Sequence, residues 1–334
     1  MRIVSFYPFE RDVLVRLERL GNVVISTLSM ESDDDIDALD LVGVDAIFGD
    51  RPPLAQDRAP DLRWLATAGA GVEYLAEFDF RSRGVVVTNG SGLHAVPIAE
   101  YCMGAMYFAT QRQRERLSNT LQHGWAGVSP KVSGTGLRGR TVVVVGYGRV
   151  GREIGRLASA NGMRVFAVKA RPEQVADYGW RETGTGDPSG NIPDRIVGLD
   201  GLLDIVPLAD FVVVVAPLTA ASRGLLSGEV LEAMARGAWI VNAGRGPVID
   251  EEALLKALQN GRVGGAYLDV FGTEPLPPSH PFWNLPNVVV TPHIAGLSHP
   301  TKYWAAAGDL MVENLRRWLV GRPLANIVDF TRGY

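Results

Sequence analysis

Ten short segments stand out as apolar runs rich in β-branched residues: RIVSFY (2–7), AIFG (46–49), LRWLATA (62–68), VVVTN (85–89), TVVVVG (141–146), RVFAV (164–168), FVVVVA (211–216), AWIVNA (238–243), GGAYLDV (264–270) and VVVTP (288–292). Most lack the alternation of a half-exposed strand. Both faces must therefore be covered, as in a parallel sheet flanked by helices. Amphipathic stretches between them predict helices at 10–20, 95–118, 149–161, 227–236, 250–260 and 301–320. This βαβα rhythm predicts an α/β doubly wound architecture.

The rhythm divides in two. Four strands precede the long helical stretch IAEYCMGAMYFATQRQRERL, and a glycine turn of the nucleotide-binding kind comes only at 146. A cofactor domain is expected at 104–296, inserted in a second domain of 1–103 plus 297–334. Two chain crossings would make a hinge beside a cleft, a usual place for small-molecule sites. The segment YGWRETGTGDPSGNIPDRIVG (178–198) breaks the rhythm with Gly, Pro and Asp and reads as a surface loop.

A length of 334 residues suits two such domains. A net charge of −4 offers no basic field for nucleic acid, so no such partner is expected. The apolar runs are too short to span a bilayer, so no membrane partner is expected either. The stretch MRIVSFYPFERDVLVRLERL carries charges throughout and does not read as a signal peptide. With Cys102 the only cysteine, no intrachain disulfide can form, and a cytoplasmic location is expected.

GYGRVG supplies Gly146, Gly148 and Gly151 between the strand TVVVV and the helix pattern RVGREIGRLASANG. Gly146 permits the tight turn, Gly148 lets a pyrophosphate approach the backbone, and Gly151 lets helix and strand pack closely. The helix start then turns free N–H groups and a positive dipole end toward the phosphates. Strand, turn, helix and second strand together make the fingerprint strong where the glycines alone would be weak.

Three further motifs each follow a strand: VNAGRG (241–246), LDVFGTEP (268–275) and TPHIAG (291–296). Ligands of open α/β sheets sit outside the carboxyl ends of strands, so Arg245, Glu274 and His293 are expected to be neighbours. Their types suit one chemistry. Hydride transfer at a carbinol carbon needs a proton moved on the adjacent oxygen, which histidine performs near neutrality. A carboxylate beside it orients the ring and favours imidazolium. A guanidinium grips a substrate carboxylate through paired hydrogen bonds. His94, His123, His280 and His299 show no metal-ligand spacing, and no metal is expected. His94 is a candidate to line the cleft, and Arg51 either adds a cation to the substrate pocket or is solvated.

On these motifs, together with TAGAGVEYL (67–75), PIAEYCMG (97–104), APLTAASRGLL (216–226), GAYLDVFGTEPLPPSHPFWNLPNVVVTPHIAG (265–296) and ENLRRWLVGRPLANIVD (313–329), the chain resembles the D-isomer-specific 2-hydroxyacid dehydrogenases, nearly end to end. Within that family the likeness is to the glyoxylate/hydroxypyruvate reductases. The resemblance implies a Rossmann cofactor domain inserted in a flavodoxin-like substrate domain. It implies His293 as general acid/base, Glu274 as its partner, and Arg245 as the carboxylate clamp. Asp269 would hold the nicotinamide carboxamide. Arg149, Val150, Pro217, Ala243, Gly244 and Gly296 would join the cofactor contacts, and the backbone of Ala70, Gly71 and Val72 would meet the substrate carboxylate. A homodimer joined through the helical arm around 104–125 is implied as well. The expected activity is reduction of a small 2-ketoacid to a 2-hydroxyacid. Two alternatives stay open: a dinucleotide-sensing scaffold like the related corepressors, and an enzyme like the phosphite dehydrogenases, which share the triad. Glu274 speaks against formate dehydrogenases, which carry glutamine beside the histidine.

In NAD-preferring relatives an acidic side chain near position 169 accepts the ribose hydroxyls. Here VFAVKARPE places Lys169 and Arg171 instead. An aspartate repels a 2′-phosphate, whereas these cations can pair with it. NADP(H) is therefore favoured over NAD(H), against the alternative that both side chains are merely solvated.

Overall fold

Parallel pairing explains why the strands are apolar on both faces. In the computed structural model, which describes residues 1–330 apart from Glu31, Ala126, Lys131, Ser298 and His299, all pairing within the two sheets is parallel. His299, one of the histidines weighed as a metal ligand, thus lies outside the described residues. Strands β1–β5 are Arg2–Ser5, Val24–Thr27, Ala46–Phe48, Trp64–Ala66 and Val86–Thr88. Strands β6–β12 are Thr141–Val145, Arg164–Val168, Arg195–Val197, Phe211–Val214, Trp239–Asn242, Gly265–Leu268 and Val288–Val290. Helices α1–α9 are Arg11–Glu18, Asp33–Ala38, Ala95–Thr110, Gln113–Leu121, Arg149–Ala160, Leu202–Ile205, Gly228–Ala233, Glu251–Gln259 and Pro300–Leu319.

Two compact units result. The first is Met1–His94 with Tyr178–Thr183 and Ser298–Tyr334, the second Ala95–Asp177 with Gly184–Leu297. The first unit's sheet has the order β2-β1-β3-β4-β5, the flavodoxin-like arrangement. On one face Ile3, Phe48 and Trp64 pack with Val13 and Leu17 of α1 and with Leu310, Met311 and Leu315 of α9. Gly308 lets those two helices meet, since a Cβ there would lie 2.6 Å from Val13. The opposite face is Val4, Ile47, Leu65 and Val87 against Leu41, Leu75 and Phe78.

The second unit's order is β12-β11-β10-β9-β6-β7-β8. Direction of winding reverses at β6, the switch point where dinucleotide folds bind their ligand. Successive residues of β6 serve opposite cores. Val143 and Val145 pack with Leu231, Leu254 and Leu258 of α7 and α8. Val142 and Val144 pack with Cys102 and Met106 of α3 and Ile154 of α5.

Several elements differ from those expected. β2 escaped detection because it is a short edge strand with Val24 exposed rather than an apolar run. The helix expected over 95–118 breaks at Arg112, whose φ of 48° is left-handed, so α3 and α4 are separate. Because α3 buries its apolar side in the second unit's core, that unit starts at Ala95, and residue 103 lies within the helix. The expected loop 178–198 is not all loop. Residues 195–197 form β8, which pairs with β7, and Trp180 packs on the first unit's core while its N–H donates to Asn326 Oδ1 (3.3 Å). Among the described residues no helix is long and apolar enough to cross a membrane.

Candidate active site

Since the strands of the second unit are parallel, the residues after them gather along one edge. Gly146 follows β6, Lys169 follows β7, and Pro217 lies three residues beyond β9. Ala243, Gly244 and Arg245 follow β10, Asp269 follows β11, and the segment 291–296 follows β12.

At the switch point the glycines are required by contact. Gly146 has φ of 103°, and a Cβ there would lie 2.5 Å from the Ala216 nitrogen, so the turns after β6 and β9 touch. A Cβ on Gly151 would lie 2.2 Å from the Gly146 oxygen, which binds α5 closely under the turn. Gly148 has nothing within 4 Å of its Cβ position. That opening, at the N-terminus of α5 with its positive dipole end, fits a dinucleotide pyrophosphate. Tyr147 points away from it, donating from its hydroxyl to the buried Asp187 (2.9 Å).

The loop after β7 is tied to α5. Arg152, almost fully buried, donates to the backbone oxygens of Val175 (2.6 Å) and Asp187. Glu153 Oε2 accepts from Gly186 N–H (2.6 Å). Lys169 donates to the Gln174 oxygen, and burial, then the Arg152 charge, hold its ammonium below the ordinary lysine value against Asp177 and Glu173. Lys169 is therefore neither freely solvated nor a loose cation: it braces the loop that carries Arg171.

His293, Glu274 and Arg245 come together. His293 Nδ1 lies 2.7 Å from Glu274 Oε2. The other carboxylate oxygen of Glu274 accepts from Phe271 N–H (2.9 Å), which fixes the carboxylate plane. Burial pushes the Glu274 carboxyl up. The His293 hydrogen bond, the Phe271 N–H and the charges of His293 and Arg245 outweigh that, and it lies below the ordinary glutamate value. Arg245 is exposed and donates from Nη1 to the Gly244 oxygen (2.8 Å).

His293 owes its place to Asp269. With φ of 54° it adopts a conformation costly for a residue with a Cβ. Its N–H donates to the Asp269 oxygen (2.9 Å). The Asp269 carboxylate, 1% exposed, accepts from Thr291 Oγ1 (2.6 Å) and Ile294 N–H (2.9 Å) through Oδ1, and from Ala295 N–H (2.8 Å) through Oδ2. Thr291 also pairs with the Tyr101 hydroxyl (2.5 Å). Thr291 and Tyr101 lie within TPHIAG and PIAEYCMG, but nothing in their spacing marks them as partners.

In the first unit, the AGAGV turn follows β4. Among the described residues the N–H groups of Ala70, Gly71 and Val72 donate to no protein acceptor. Asn89 Nδ2 donates to the Ala70 oxygen (2.9 Å) and Gly90 N–H to the Gly69 oxygen (2.8 Å), so the turn is held from behind. Arg51 takes neither role expected of it. It is buried and forms a two-pronged pair with Asp37 (2.7 and 3.0 Å).

Among the described residues no group of three or more His, Cys, Asp or Glu could hold a metal ion. His94 stacks on Tyr303, His280 pairs with Glu251, and burial pushes the Cys102 thiol up, leaving no reactive thiolate.

Residues 103–295 match the family model described as D-isomer specific 2-hydroxyacid dehydrogenase, NAD binding domain. The glyoxylate/hydroxypyruvate reductase B of Yersinia enterocolitica is 30% identical over 333 residues, which cover 98% of this chain and 97% of that protein. The D-3-phosphoglycerate dehydrogenase of Methanocaldococcus jannaschii is 28% identical over 335 residues, and the chain spans only 59% of its length. A D-isomer specific 2-hydroxyacid dehydrogenase from Xanthobacter autotrophicus Py2, solved with NADPH and MES, superposes with a TM-score of 0.75 at 27% identity, covering 100% of this chain and 99% of that one.

Proposed function

The chain belongs to the D-isomer-specific 2-hydroxyacid dehydrogenase family, and from that premise we propose that it reduces a small 2-ketoacid to the 2-hydroxyacid with a nicotinamide cofactor. One observation supports this above the rest: the His293–Glu274 pair at 2.7 Å, with Arg245 close enough for its charge to act on Glu274.

The cofactor would lie along the switch-point edge. Gly146, Gly148, Arg149, Val150 and Gly151 would take its pyrophosphate, while Pro217, Ala243, Gly244 and Gly296 would flank the remainder. Asp269 has spare lone-pair capacity after three acceptances and would take the carboxamide N–H. When bound and reduced, the nicotinamide supplies a hydride to the keto carbon. Everything else is work for this chain. Protonated His293 gives its proton to the carbonyl oxygen as negative charge develops there. Glu274 holds the ring by its Nδ1 proton, so that Nε2 carries the transferred proton. Arg245 takes the substrate carboxylate in a two-pronged grip. In the first unit, the N–H groups of Ala70, Gly71 and Val72, which donate to no protein acceptor among the described residues, offer an anion seat of their own.

The cofactor is NADP(H) in this reading. No acidic side chain stands at 169–172, directly after β7; Arg171 stands there without an ion pair among the described residues, beside Lys169. Steady-state kcat/KM with NADPH and NADH in parallel tests it. NADPH should win, and Lys169→Asp with Arg171→Ala should erode the preference. A tenfold or larger preference for NADH would overturn it.

The working form is a homodimer. The segment after α3 exposes Leu117, Leu121, Trp125 and Val128, the last two almost entirely, an apolar surface of the kind that a second copy covers. The location proposed is cytoplasmic, in keeping with one buried cysteine and no disulfide. A dinucleotide-sensing scaffold is the alternative reading: it would bind NADPH yet turn over no ketoacid, which the same assay decides.

A further inference from the structure

Like charges gather where α5 begins and β7 ends, all within the second unit. Arg149 and Arg152 stand among the first four residues of α5, and no acid stands in that turn. Lys169 follows β7 directly. Burial, then the Arg152 charge, lowers its ammonium; Asp177 and Glu173 oppose this, and Arg171 adds to it. The start of a helix is the positive end of its dipole, so cations there repel both it and one another. Counter-charge comes from Asp177, eight residues beyond Lys169. Its Oδ1 lies 4.0 Å from Arg149 Nη2 and its Oδ2 3.8 Å from Arg152 Nε. Both separations exceed a hydrogen bond, so these two attractions are charge alone.

The loop that carries Asp177 is fastened by other groups. Arg152 donates to the Val175 and Asp187 oxygens, and Glu153 accepts from Gly186 N–H (2.6 Å). The Asp187 carboxylate accepts from the Tyr147 hydroxyl (2.9 Å) and from the N–H groups of Asn191 (3.0 Å) and Ile192 (3.1 Å). Asp177 is tied through its backbone, its N–H donating to the Pro188 oxygen (2.9 Å). The fold of the loop therefore brings its carboxylate to α5. The Arg152 side chain is 3% exposed and committed to carbonyls, whereas those of Arg149 and Asp177 are 22% and 24% exposed. A second anion can reach Arg149 and Asp177 but not Arg152.

We infer that Asp177 determines cofactor specificity by competing with the 2′-phosphate of NADP(H) for the cations at the start of α5 and the end of β7. In dinucleotide folds the stretch after the second strand reads the ribose, an acid taking its 2′-hydroxyl and a cation its 2′-phosphate. Here the cations stand in that stretch and the acid arrives from position 177. The inference rests on the NADP(H) reading above for the sense of the wild-type preference. A 2′-phosphate brings about −1.5 to −2 charges toward cations that Asp177 already faces, and the two anions repel. A 2′-hydroxyl carries no charge and meets no such opposition. Asp177 thus holds the discrimination below what the cations alone would give.

The test titrates the full chain by calorimetry with adenosine 2′,5′-bisphosphate and adenosine 5′-monophosphate, which differ by the 2′-phosphate alone. Asp177→Asn should tighten the bisphosphate about tenfold and leave the monophosphate within about twofold, the effect of one unit charge a few ångströms away at an effective dielectric between those of protein surface and water. Asp177→Glu keeps the charge and should keep the wild-type ratio, which separates charge from disturbance of the loop. Fluorescence titration with NADPH and NADH should show the same shift, and decides the matter if the mononucleotides bind weakly. An unchanged or reduced preference for the 2′-phosphate in Asp177→Asn, or an equal shift in Asp177→Glu, would overturn the role of Asp177. A wild type that binds NADH more tightly than NADPH would overturn the NADP(H) reading, while the shift in Asp177→Asn would still decide this inference.

Discussion

Replacing Asp269 by asparagine changes one atom and should disable the site from behind. The carboxylate accepts three hydrogen bonds, one from a side chain and two from backbone N–H groups. In asparagine one oxygen becomes an NH2 group, which has no lone pair to offer. With the amide oxygen kept toward Thr291 and Ile294, the NH2 faces the N–H of Ala295, donor against donor. Ala295 is 4% exposed, so water cannot take over. An unsatisfied buried donor costs about 1–3 kcal/mol. The flipped amide relieves Ala295 but sets a donor against Ile294 N–H. Either way the segment that holds His293 at positive φ loses part of its support. A cost of about 2 kcal/mol lowers melting by roughly 4–8 °C in a unit of this size. A displacement of about 1 Å at His293 lowers kcat on the order of 10²-fold. Thermal unfolding followed by near-UV circular dichroism, with kcat on the best ketoacid, measures both. A variant with wild-type melting and wild-type kcat would refute the claim that Asp269 builds the His293 loop.

Gly148→Ala and Gly151→Ala separate ligand from fold. The first places a methyl in open space and should melt like the wild type while NADPH affinity, by fluorescence titration, falls. The second drives a Cβ to 2.2 Å from the Gly146 oxygen and should destabilise the unit itself. Glu274→Gln should show a pH signature. The folded Glu274 carboxyl lies below its ordinary value, so its contribution to stability is present above the unfolded glutamate value of about 4.3 and is lost as pH falls through the folded one. The difference in melting temperature between wild type and variant should therefore shrink as pH is lowered from 6 to below 4. A difference that grows toward acid would contradict the assignment.

The legible parts of the molecule were those where one residue type answers to one physical need. Apolar runs marked the strands other than β2 and β8, and Gly146 and Gly151 announced contacts that no side chain tolerates. Arg245, Glu274 and His293 could be grouped because parallel strands deliver the residues after them to one edge. The illegible parts depend on partners distant in sequence. β2 has an exposed face, so its apolar pattern is weak. Trp180 stands in a segment of loop composition, yet it packs against the first unit's core, a fact that only tertiary contact reveals. Arg51 read as solvated or as a pocket cation; its aspartate partner, fourteen positions earlier, decided otherwise. Asp269 was assigned to the cofactor by resemblance, while the bonds that make it the organiser of 291–295 run to backbone N–H groups, which carry no sequence signal.

The central claim is that His293 moves the proton in ketoacid reduction. Turnover of hydroxypyruvate with NADPH by the wild type and by His293→Gln, with NADPH binding measured in both, tests it most directly. The expected result is a loss of about 10²–10⁴-fold in kcat, the usual contribution of positioned acid–base catalysis, at near wild-type NADPH affinity. Near wild-type turnover in His293→Gln would contradict it.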